Sequence, residues 1–405
     1  MLGLKLSQLL GQPAASAYLK SVVKQGRFAN AYLFHGPAGV GKMSAALAFA
    51  SAILCEHGAP PESSAAPGLF DAPAPKGAKS AAPDDDACGH CAACLKTRNL
   101  AHPDLKFLFP VSGEEKELED TIADTLIQLR ENPYFVFRYE KAASIRLSLT
   151  RELLRELAFK PFEAARRVVV VRDADRMRED QYSALLKSIE EPGASTLWIL
   201  TTARPSRLPA TIRSRCQKVR LAPLSEELVR GVLEKELKVA PRQSRLLAAL
   251  ASGSLSRAIE LNDADDAAEL RNKALALLEP ALRGDPSGLW RSVQGYMNFG
   301  RTGRESLRRM IEFHELWLRD LLRARYGAGD EALVNLDREA EVRRQAAGLD
   351  ATEIRRRLMV LEEVLRAIDG NVTADVAMFS GLARVAGARL GETDWPRHPT
   401  GRWDY

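Results

Sequence analysis

Short apolar runs alternate with helical patterns through the first half of the chain. The runs are rich in β-branched and aromatic residues and occupy positions 31–34, 104–110, 168–171 and 196–201. Such runs are typical of strands, and the run at 168–171 is typical of a central parallel strand that is covered on both faces. Between the last two runs, apolar residues recur at the spacing of one helix face: Tyr182, Leu185, Leu186 and Ile189. Strands that alternate with helices in this way predict a parallel α/β sheet.

The second half of the chain shows helical patterns only, including two long apolar faces. The first face carries Leu307, Met310, Ile311, Leu318, Leu321 and Leu322. The second face carries Ile354, Leu358, Leu361, Leu365 and Ile368. A chain of 405 residues is also too long for one ordinary core. We therefore expect an α/β domain over 1–222, a small helical domain over 223–285, a second helical domain over 286–390 and an irregular tail over 391–405.

Two stretches of the α/β half interrupt this alternation. Residues 59–87 are rich in Pro, Ala, Ser and Asp and have no periodic apolar positions. Because such a segment cannot bury enough apolar surface to offset the entropy cost of ordering, it is predicted to form a flexible loop. Residues 111–143 are predicted to form a charged, partly helical insertion, and the sequence assigns no role to it.

Composition and charge narrow the class of protein. With 46% hydrophobic and 27% charged residues, the chain is typical of globular proteins. It has no apolar run of membrane-spanning length, and its first residues lack a basic leader and a cleavage site, so we expect a cytoplasmic protein without a membrane segment. The net charge of +5 permits contact with nucleic acid without requiring it. Scattered charges more often form a solvated surface, but the residues that could contact DNA phosphates are Lys96, Arg98, Arg146, Arg204 and Arg207.

A glycine-rich stretch, YLFHGPAGVGKMS, follows the first predicted strand. Gly36 is followed by Gly39, Gly41 and Lys42 at the spacing of a phosphate-binding loop between a strand and a helix. Glycines there let backbone N–H groups and the helix N-terminus face phosphate oxygens, and the lysine supplies a positive charge. The next residue should be Ser or Thr, whose hydroxyl binds Mg²⁺, but it is Met43. Because a thioether is a poor ligand for Mg²⁺, the loop is predicted to hold phosphate but not the metal.

The second half of a nucleotide-hydrolysing site should be an apolar strand that ends in Asp-Glu. Here the valines at 168–171 are followed by Arg172, Asp173 and Ala174. In one register Arg172 takes the metal position and Asp173 the base position; in the other Asp173 takes the metal position and Ala174 the base position. Either register removes one member of the pair, so we expect no intrinsic ATP hydrolysis. Binding of ATP without turnover stays open, as does the alternative that the loop is only a tight turn.

A cysteine cluster indicates a metal site. Three cysteines recur at a spacing of three: Cys88, Cys91 and Cys94. Tetrahedral Zn²⁺ needs a fourth ligand, for which Cys55 is the best candidate and His57 and His90 are weaker alternatives. A closed four-ligand site would be structural rather than catalytic, and free cysteines in a loop are the alternative interpretation.

Arg215 is a candidate for a role at a subunit boundary. It lies in the sequence Ser214-Arg215-Cys216, after a strand and a short loop. An arginine near the rim of an α/β nucleotide domain can reach the γ-phosphate bound by a neighbouring subunit. A solvated or salt-bridged arginine is the ordinary alternative.

In combination these motifs resemble those of the clamp-loader subunits of bacterial DNA polymerase III, which belong to the AAA+ class. The matching stretches are Gly11-Gln12, AYLFHGPAGVGK at 31–42, the clustered cysteines with His102-Pro103-Asp104, the segment 144–171, SALLKSIEEP at 183–192 and LPATIRSRCQ at 208–217. They cover most of 1–222, whereas the helical half matches by organisation only. The resemblance implies an AAA+ domain with a zinc knuckle over 55–94, a helical lid, and a helical collar that holds a circular pentamer together.

The altered metal and base positions resemble the non-hydrolysing delta-prime branch of that family. This resemblance implies that Arg215 acts in trans as an arginine finger, and that Cys55, Cys88, Cys91 and Cys94 bind zinc. It also implies gamma/tau and delta subunits, the sliding clamp and primed DNA as partners, within the DNA polymerase III holoenzyme. Ser256 stands where ATPase members carry a nucleotide-sensing arginine, which favours the same branch. The alternatives are a gamma/tau-like ATPase and an AAA+ factor of DNA repair or recombination.

Overall fold

The computed structural model of the protein divides into two units, one with the sheet and one of helices. The first contains Met1–Leu228 and Gly253–Arg257, and the second contains Val229–Ser252 and Ala258–Tyr405. The residues that the structure describes are 5–57, 85–111, 118–131, 144–190, 195–263, 267–285, 287–289, 291–292, 304–329, 332–369 and 374–387. The predicted tail 391–405 therefore lies outside the described residues, as does the part of the predicted loop that covers 59–84. The three-domain division of the chain stays a prediction.

The first unit is built on a parallel sheet of five strands in the order β2-β3-β4-β1-β5. The strands are β1 (Ala31–His35), β2 (Leu105–Leu108), β3 (Arg167–Val171), β4 (Thr196–Thr202) and β5 (Gln217–Arg220). The helices are α1 (Pro13–Gln25), α2 (Lys42–Leu54), α3 (Ala92–Arg98), α4 (Leu118–Glu131), α5 (Leu147–Glu156), α6 (Glu179–Glu190) and α7 (Ala210–Arg215). The parallel α/β fold predicted from the alternating pattern is confirmed.

Helices cover the sheet on both faces. Alternate residues of each strand point to opposite faces, so Val168 and Val170 join one core cluster while Val169 and Val171 join the other. The first cluster includes the small residues of α2, and the second includes apolar residues of α5, α6 and α7. Burial on both faces explains why the central strands are continuous apolar runs rather than alternating ones.

The sequence interpretation did not identify β5. This edge strand, QKVR, exposes three of its four residues and buries Val219 alone. It pairs in parallel with β1, with Val219 opposite Phe34. A strand of four residues with one buried side chain has no periodic hydrophobic pattern in the sequence. Its position is set by backbone pairing with β1, which the local sequence does not show.

The predicted flexible loop 59–87 needs a correction at its C-terminal end. Asp86 accepts hydrogen bonds from the backbone N–H groups of Leu6 and Ser7, both at 2.8 Å. The Lys20 ammonium lies 3.3 Å from a carboxylate oxygen of Asp85. These contacts tie the end of the segment to the start of the chain. Within the insertion 111–143, the described part contains the helix α4.

The second unit is helical. Its elements, with α8 and α10 shared between the two units, are α8 (Glu226–Lys235), α9 (Pro241–Ala251), α10 (Leu255–Asp263), α11 (Ala267–Arg283), α12 (Arg304–Arg325), α13 (Glu339–Ala347), α14 (Ala351–Asp369) and α15 (Ala374–Val385). Helix α12 packs against α9, α11, α13, α14 and α15. Its predicted apolar face is buried apart from Leu322, which is half-buried. None of the helices in the described ranges is long and apolar enough to span a membrane.

Candidate nucleotide site, thiol cluster and rim arginine

The phosphate loop connects β1 to α2, as the glycine spacing predicts. Gly39 and Gly41 have φ of 71° and 94°, values that favour glycine. At Gly36 an added β-carbon would lie 2.1 Å from the backbone oxygen of Leu221, so the chain that follows β5 packs directly on the loop. These glycines are therefore required both for the turn and for the close approach of two backbone segments.

Lys42 is folded onto its own loop. Its Nζ donates hydrogen bonds to the backbone oxygens of Gly36, at 2.9 Å, and Pro37. Burial lowers the pKa of the Lys42 ammonium to about 8, with a further decrease from Arg172 that is opposed by nearby Asp173. The lysine is placed at the loop as predicted, and its charge is satisfied by loop carbonyls in this conformation.

Met43 is part of the hydrophobic core. Its side chain is 7% exposed and belongs to the cluster formed by α2 and the strands. A serine or threonine hydroxyl at this position would ligate Mg²⁺, whereas this thioether packs among apolar side chains. The residue that follows Lys42 thus contributes to packing.

Arg172 and Asp173 directly follow β3 at its carboxyl end. The guanidinium Nε of Arg172 lies 3.7 Å from a carboxylate oxygen of Asp173. The Asp173 N–H donates to the hydroxyl of Thr201 at 3.3 Å, and Asp173 has φ of 46°, which is uncommon for a residue other than glycine. A positive charge beside the carboxylate opposes binding of a divalent cation there. β3 ends at Val171, as the apolar run predicts, and Arg172 and Asp173 are the first two residues after it.

A polar network that sequence reasoning missed lies at the same edge of the sheet. The Asp175 carboxylate, 3% exposed, accepts the Thr202 hydroxyl at 2.6 Å and the Arg204 Nε at 2.8 Å. Arg204, predicted as a possible DNA contact, is thus engaged by Asp175. The carboxyl ends of neighbouring parallel strands lie at the same edge of a sheet. The polar residues after β3 and at the end of β4 could therefore have been predicted from the sequence to contact one another.

The four predicted zinc ligands come together where α2 ends and α3 begins. The Sγ atoms of Cys55 and Cys91 are 3.9 Å apart, as are those of Cys88 and Cys94. Four thiolates around a tetrahedral Zn²⁺ would be separated by about 3.8 Å, from Zn–S bonds of about 2.3 Å. Backbone N–H groups also point at the sulfurs, with Cys91 N–H 3.3 Å from Cys88 Sγ. The donor set therefore fits a metal such as zinc.

His57 belongs to the same cluster. The ligand atoms of Cys55, His57, Cys88 and Cys91 all lie within 4.8 Å of one another. The Cys94 thiol donates toward Cys55, which lowers the pKa of Cys55 to about 4 and raises that of Cys94. The group thus offers one more candidate ligand than a tetrahedral site needs. The other histidine considered, His90, lies with its ring centroid 5.8 Å from that of His57.

Arg215, the last residue of α7, is half exposed. Its Nε contacts a carboxylate oxygen of Glu190, and its Nη1 donates to the backbone oxygen of Thr211 at 3.0 Å. The salt-bridged state given as the ordinary alternative is therefore present, and 40% of the side chain remains accessible to a partner. Lys96, another predicted DNA contact, is paired with Glu163 at 2.6 Å.

A parallel α/β sheet with a phosphate loop after β1 and polar residues at the carboxyl ends of β3 and β4, followed by helices, defines an AAA+-like P-loop protein. A family model described as "DNA polymerase III, delta subunit" matches residues 11–66 and 77–225, just over half of the chain. The chain belongs to this family of DNA polymerase III clamp-loader subunits.

Curated relatives carry two different subunit names. The chain is 28% identical over 269 residues to DNA polymerase III subunit delta' of Bacillus subtilis, which covers 66% of this chain and 64% of the relative. It is 26% identical over 264 residues to subunit tau of the same organism, which covers 64% of this chain and 37% of the relative. The chain thus spans less than two thirds of the length of these relatives. The two identities do not separate the delta' type from the gamma/tau type.

A solved structure shows a weaker likeness. The gamma-subunit-related protein of DNA polymerase III from Thermotoga maritima covers 72% of this chain and 97% of its own, with 17% identity and a TM-score of 0.34.

Proposed function

We propose that this chain is the non-hydrolysing, delta-prime-like subunit of the DNA polymerase III clamp loader. In this role it is a rigid member of a hetero-oligomeric ring, acting in the cytoplasm, that places the sliding clamp on primed DNA. Its partners are gamma/tau and delta subunits, which it meets through the AAA+ domain and the helical collar. The chain itself contributes an arginine to the ATP site of a neighbouring ATPase subunit.

The placement of Met43 carries this proposal. The fold retains the glycine loop and Lys42, but the position that should offer a hydroxyl to Mg²⁺ is packed into the core. At the end of β3, Arg172 and Asp173 replace the paired carboxylates that hold the metal and orient water. Two separate parts of the hydrolytic apparatus are changed, while the scaffold around them is intact.

Arg215 supplies the second part of the proposal. It ends a short helix beside the sheet and keeps a large accessible fraction, as a residue that acts on another subunit must. An arginine finger stabilises the charge that develops on the transferred phosphoryl group. The cluster of Cys55, Cys88, Cys91 and Cys94 holds a structural zinc in this proposal and orders the segment between α2 and α3.

Reconstitution tests the function. The purified chain is mixed with gamma/tau and delta subunits from the same organism, and complex formation and ATP turnover in the presence of clamp and primed DNA are measured. Arg215→Ala is expected to leave the complex assembled and to lower turnover at the one site it serves by on the order of a hundredfold. Arg151→Ala, which removes an exposed arginine of α5 that is not among the candidate DNA contacts, is the control. Normal turnover with Arg215→Ala, or failure of the wild-type chain to join the complex, would contradict the proposal.

A further inference from the structure

Glu190 and Arg215 are held at a fixed separation by the core beneath them. Glu190 is the last residue of α6 and follows Ile189, which is 1% exposed. Arg215 is the last residue of α7, and Cys216, the residue after it, is 7% exposed. Ile189 and Cys216 belong to the same hydrophobic cluster. The backbones that carry the two charges are therefore anchored in one packed core, which is rigid on the scale of side-chain motion.

The contacts of the Arg215 guanidinium leave part of it available. Glu190 engages Nε, and the carbonyl oxygen of Thr211 accepts from Nη1. Neither of these contacts uses Nη2. A guanidinium held at Nε and Nη1 in this way presents Nη2 in a defined direction, and guanidinium N–H groups recognise phosphate oxygens.

Stability does not account for this ion pair. The side chains of Arg215 and Glu190 are 40% and 43% exposed, and exposed pairs of this kind contribute little to the free energy of folding. An arginine side chain has many rotamers, and restricting them before the reaction removes an entropy cost from the reacting complex. The ion pair therefore restricts the orientation of the Arg215 side chain more than it stabilises the fold.

We propose that Glu190 is a positioning residue that orients Arg215 toward the phosphate of a neighbouring subunit. The inference rests on the proposed function, since Arg215 needs an acceptor in trans. Glu190 itself touches neither nucleotide nor metal; it acts through Arg215 alone. Its removal leaves the charge of the finger in place and broadens the set of conformations that the finger samples.

The test compares variants in the reconstituted complex of this chain with gamma/tau and delta subunits, clamp and primed DNA. At the one ATP site that Arg215 serves, Glu190→Ala is expected to lower kcat by about fivefold with KM for ATP unchanged, because the arginine contributes in the transition state rather than to ground-state binding. Glu190→Gln keeps an oxygen acceptor at the same position and is expected to lower kcat by about twofold. Glu227→Gln, which removes an equal charge from an exposed position on α8, is the matched control and should leave kcat unchanged.

A double-mutant cycle separates positioning from a general structural effect. Glu190→Ala should have no further effect in a chain that already carries Arg215→Ala, because the two residues act through one contact. Complex formation, measured by sedimentation, should be the same for all variants. If Arg215→Ala lowers turnover but both Glu190 variants keep or exceed the wild-type kcat, the positioning role is wrong while the arginine finger stands. If Arg215→Ala itself changes nothing, the proposed function fails and the positioning role fails with it.

Discussion

Ser254 lies directly against Gly39 of the phosphate loop. A β-carbon added to Gly39 would lie 2.0 Å from the Ser254 hydroxyl oxygen and 3.0 Å from the β-carbon of Ser256. The Ser254 hydroxyl also accepts a hydrogen bond from the Arg257 N–H at 3.2 Å, as a helix cap does at the start of α10. The loop and the first residues of α10 thus form one packed arrangement. Ser256, which takes the position where the family resemblance implies a nucleotide-sensing arginine, lies next to the loop.

Gly39→Ala is expected to destabilise the first unit by about 2 to 4 kcal/mol, since it adds left-handed backbone strain and a steric clash. Ser254→Gly in the same chain should recover about half of that loss, because it removes the clashing hydroxyl and is tolerated at a helix cap. Urea unfolding of the two single variants and the double variant measures both effects. If the decrease in unfolding free energy of the double variant equals the sum of the decreases of the two single variants, the two residues do not touch in solution.

Metal removal should affect the thiol cluster and not the helical unit. Cys91→Ser and Cys94→Ser are each expected to lower bound zinc from about one equivalent to near zero, with a loss of up to roughly 10 kcal/mol of local metal-linked folding energy. Cys216→Ala, which changes a buried thiol outside the cluster, is the matched control and should retain zinc. Elemental analysis and the cobalt absorption spectrum give the result.

A variant of His57 tests which four side chains bind the metal. If four cysteines bind the metal, His57→Ala should keep both the zinc content and a sulfur-only cobalt spectrum. Loss of zinc in His57→Ala together with full retention in Cys94→Ser would instead assign the ligand set Cys55, His57, Cys88 and Cys91, whose ligand atoms lie close together in the structure.

His314 makes the helical unit sensitive to acid. Its ring is fully buried, Nε2 lies 2.6 Å from the backbone oxygen of Ala274, and burial lowers the pKa of the ring to about 4. The unfolded chain binds the proton near the ordinary pKa of 6.5 and the folded chain only near 4, so the folded state loses stability as pH falls through that window. The loss should approach about 3 kcal/mol.

Denaturant unfolding of the full chain at pH 7 and pH 4.5 measures this effect, followed by a probe in the helical unit such as Trp317 fluorescence. His314→Gln supplies the control, because a glutamine can still donate to the Ala274 oxygen but does not titrate. Its stability should decrease less between the two pH values than that of the wild-type chain. Identical decreases would show that carboxylates elsewhere cause the acid sensitivity.

The parts of the fold that the sequence predicted are those with a strong periodic pattern. The valines at 168–171 were assigned to a buried strand because burial on both faces requires a continuous apolar run. The phosphate loop was found because its glycines serve backbone geometry, which the sequence spacing reports directly. The long helix faces around α12 and α14 were also clear. The local sequence predicts an element correctly where a residue type meets one physical requirement, such as burial on both faces or a turn that needs glycine.

Other features depend on contacts between distant residues. The edge strand β5 is ordered by pairing with β1 and carries one buried residue. Asp86 has no local signal of order because its partners, the backbone N–H groups of Leu6 and Ser7, lie 80 and 79 residues away in the sequence. Glu190 lies within the stretch SALLKSIEEP, and nothing in its local sequence points to a contact with Arg215. Such contacts follow from tertiary packing, which sequence patterns do not encode locally.

Steady-state hydrolysis of Mg²⁺-ATP by the purified chain alone tests the central claim most directly. With Met43 in the core and Arg172 beside Asp173, we expect no turnover above background, and Lys42→Ala should make no difference to that result. Sustained ATP turnover by the chain in the absence of any other subunit, abolished by Lys42→Ala, would contradict the account and favour a gamma/tau-like ATPase.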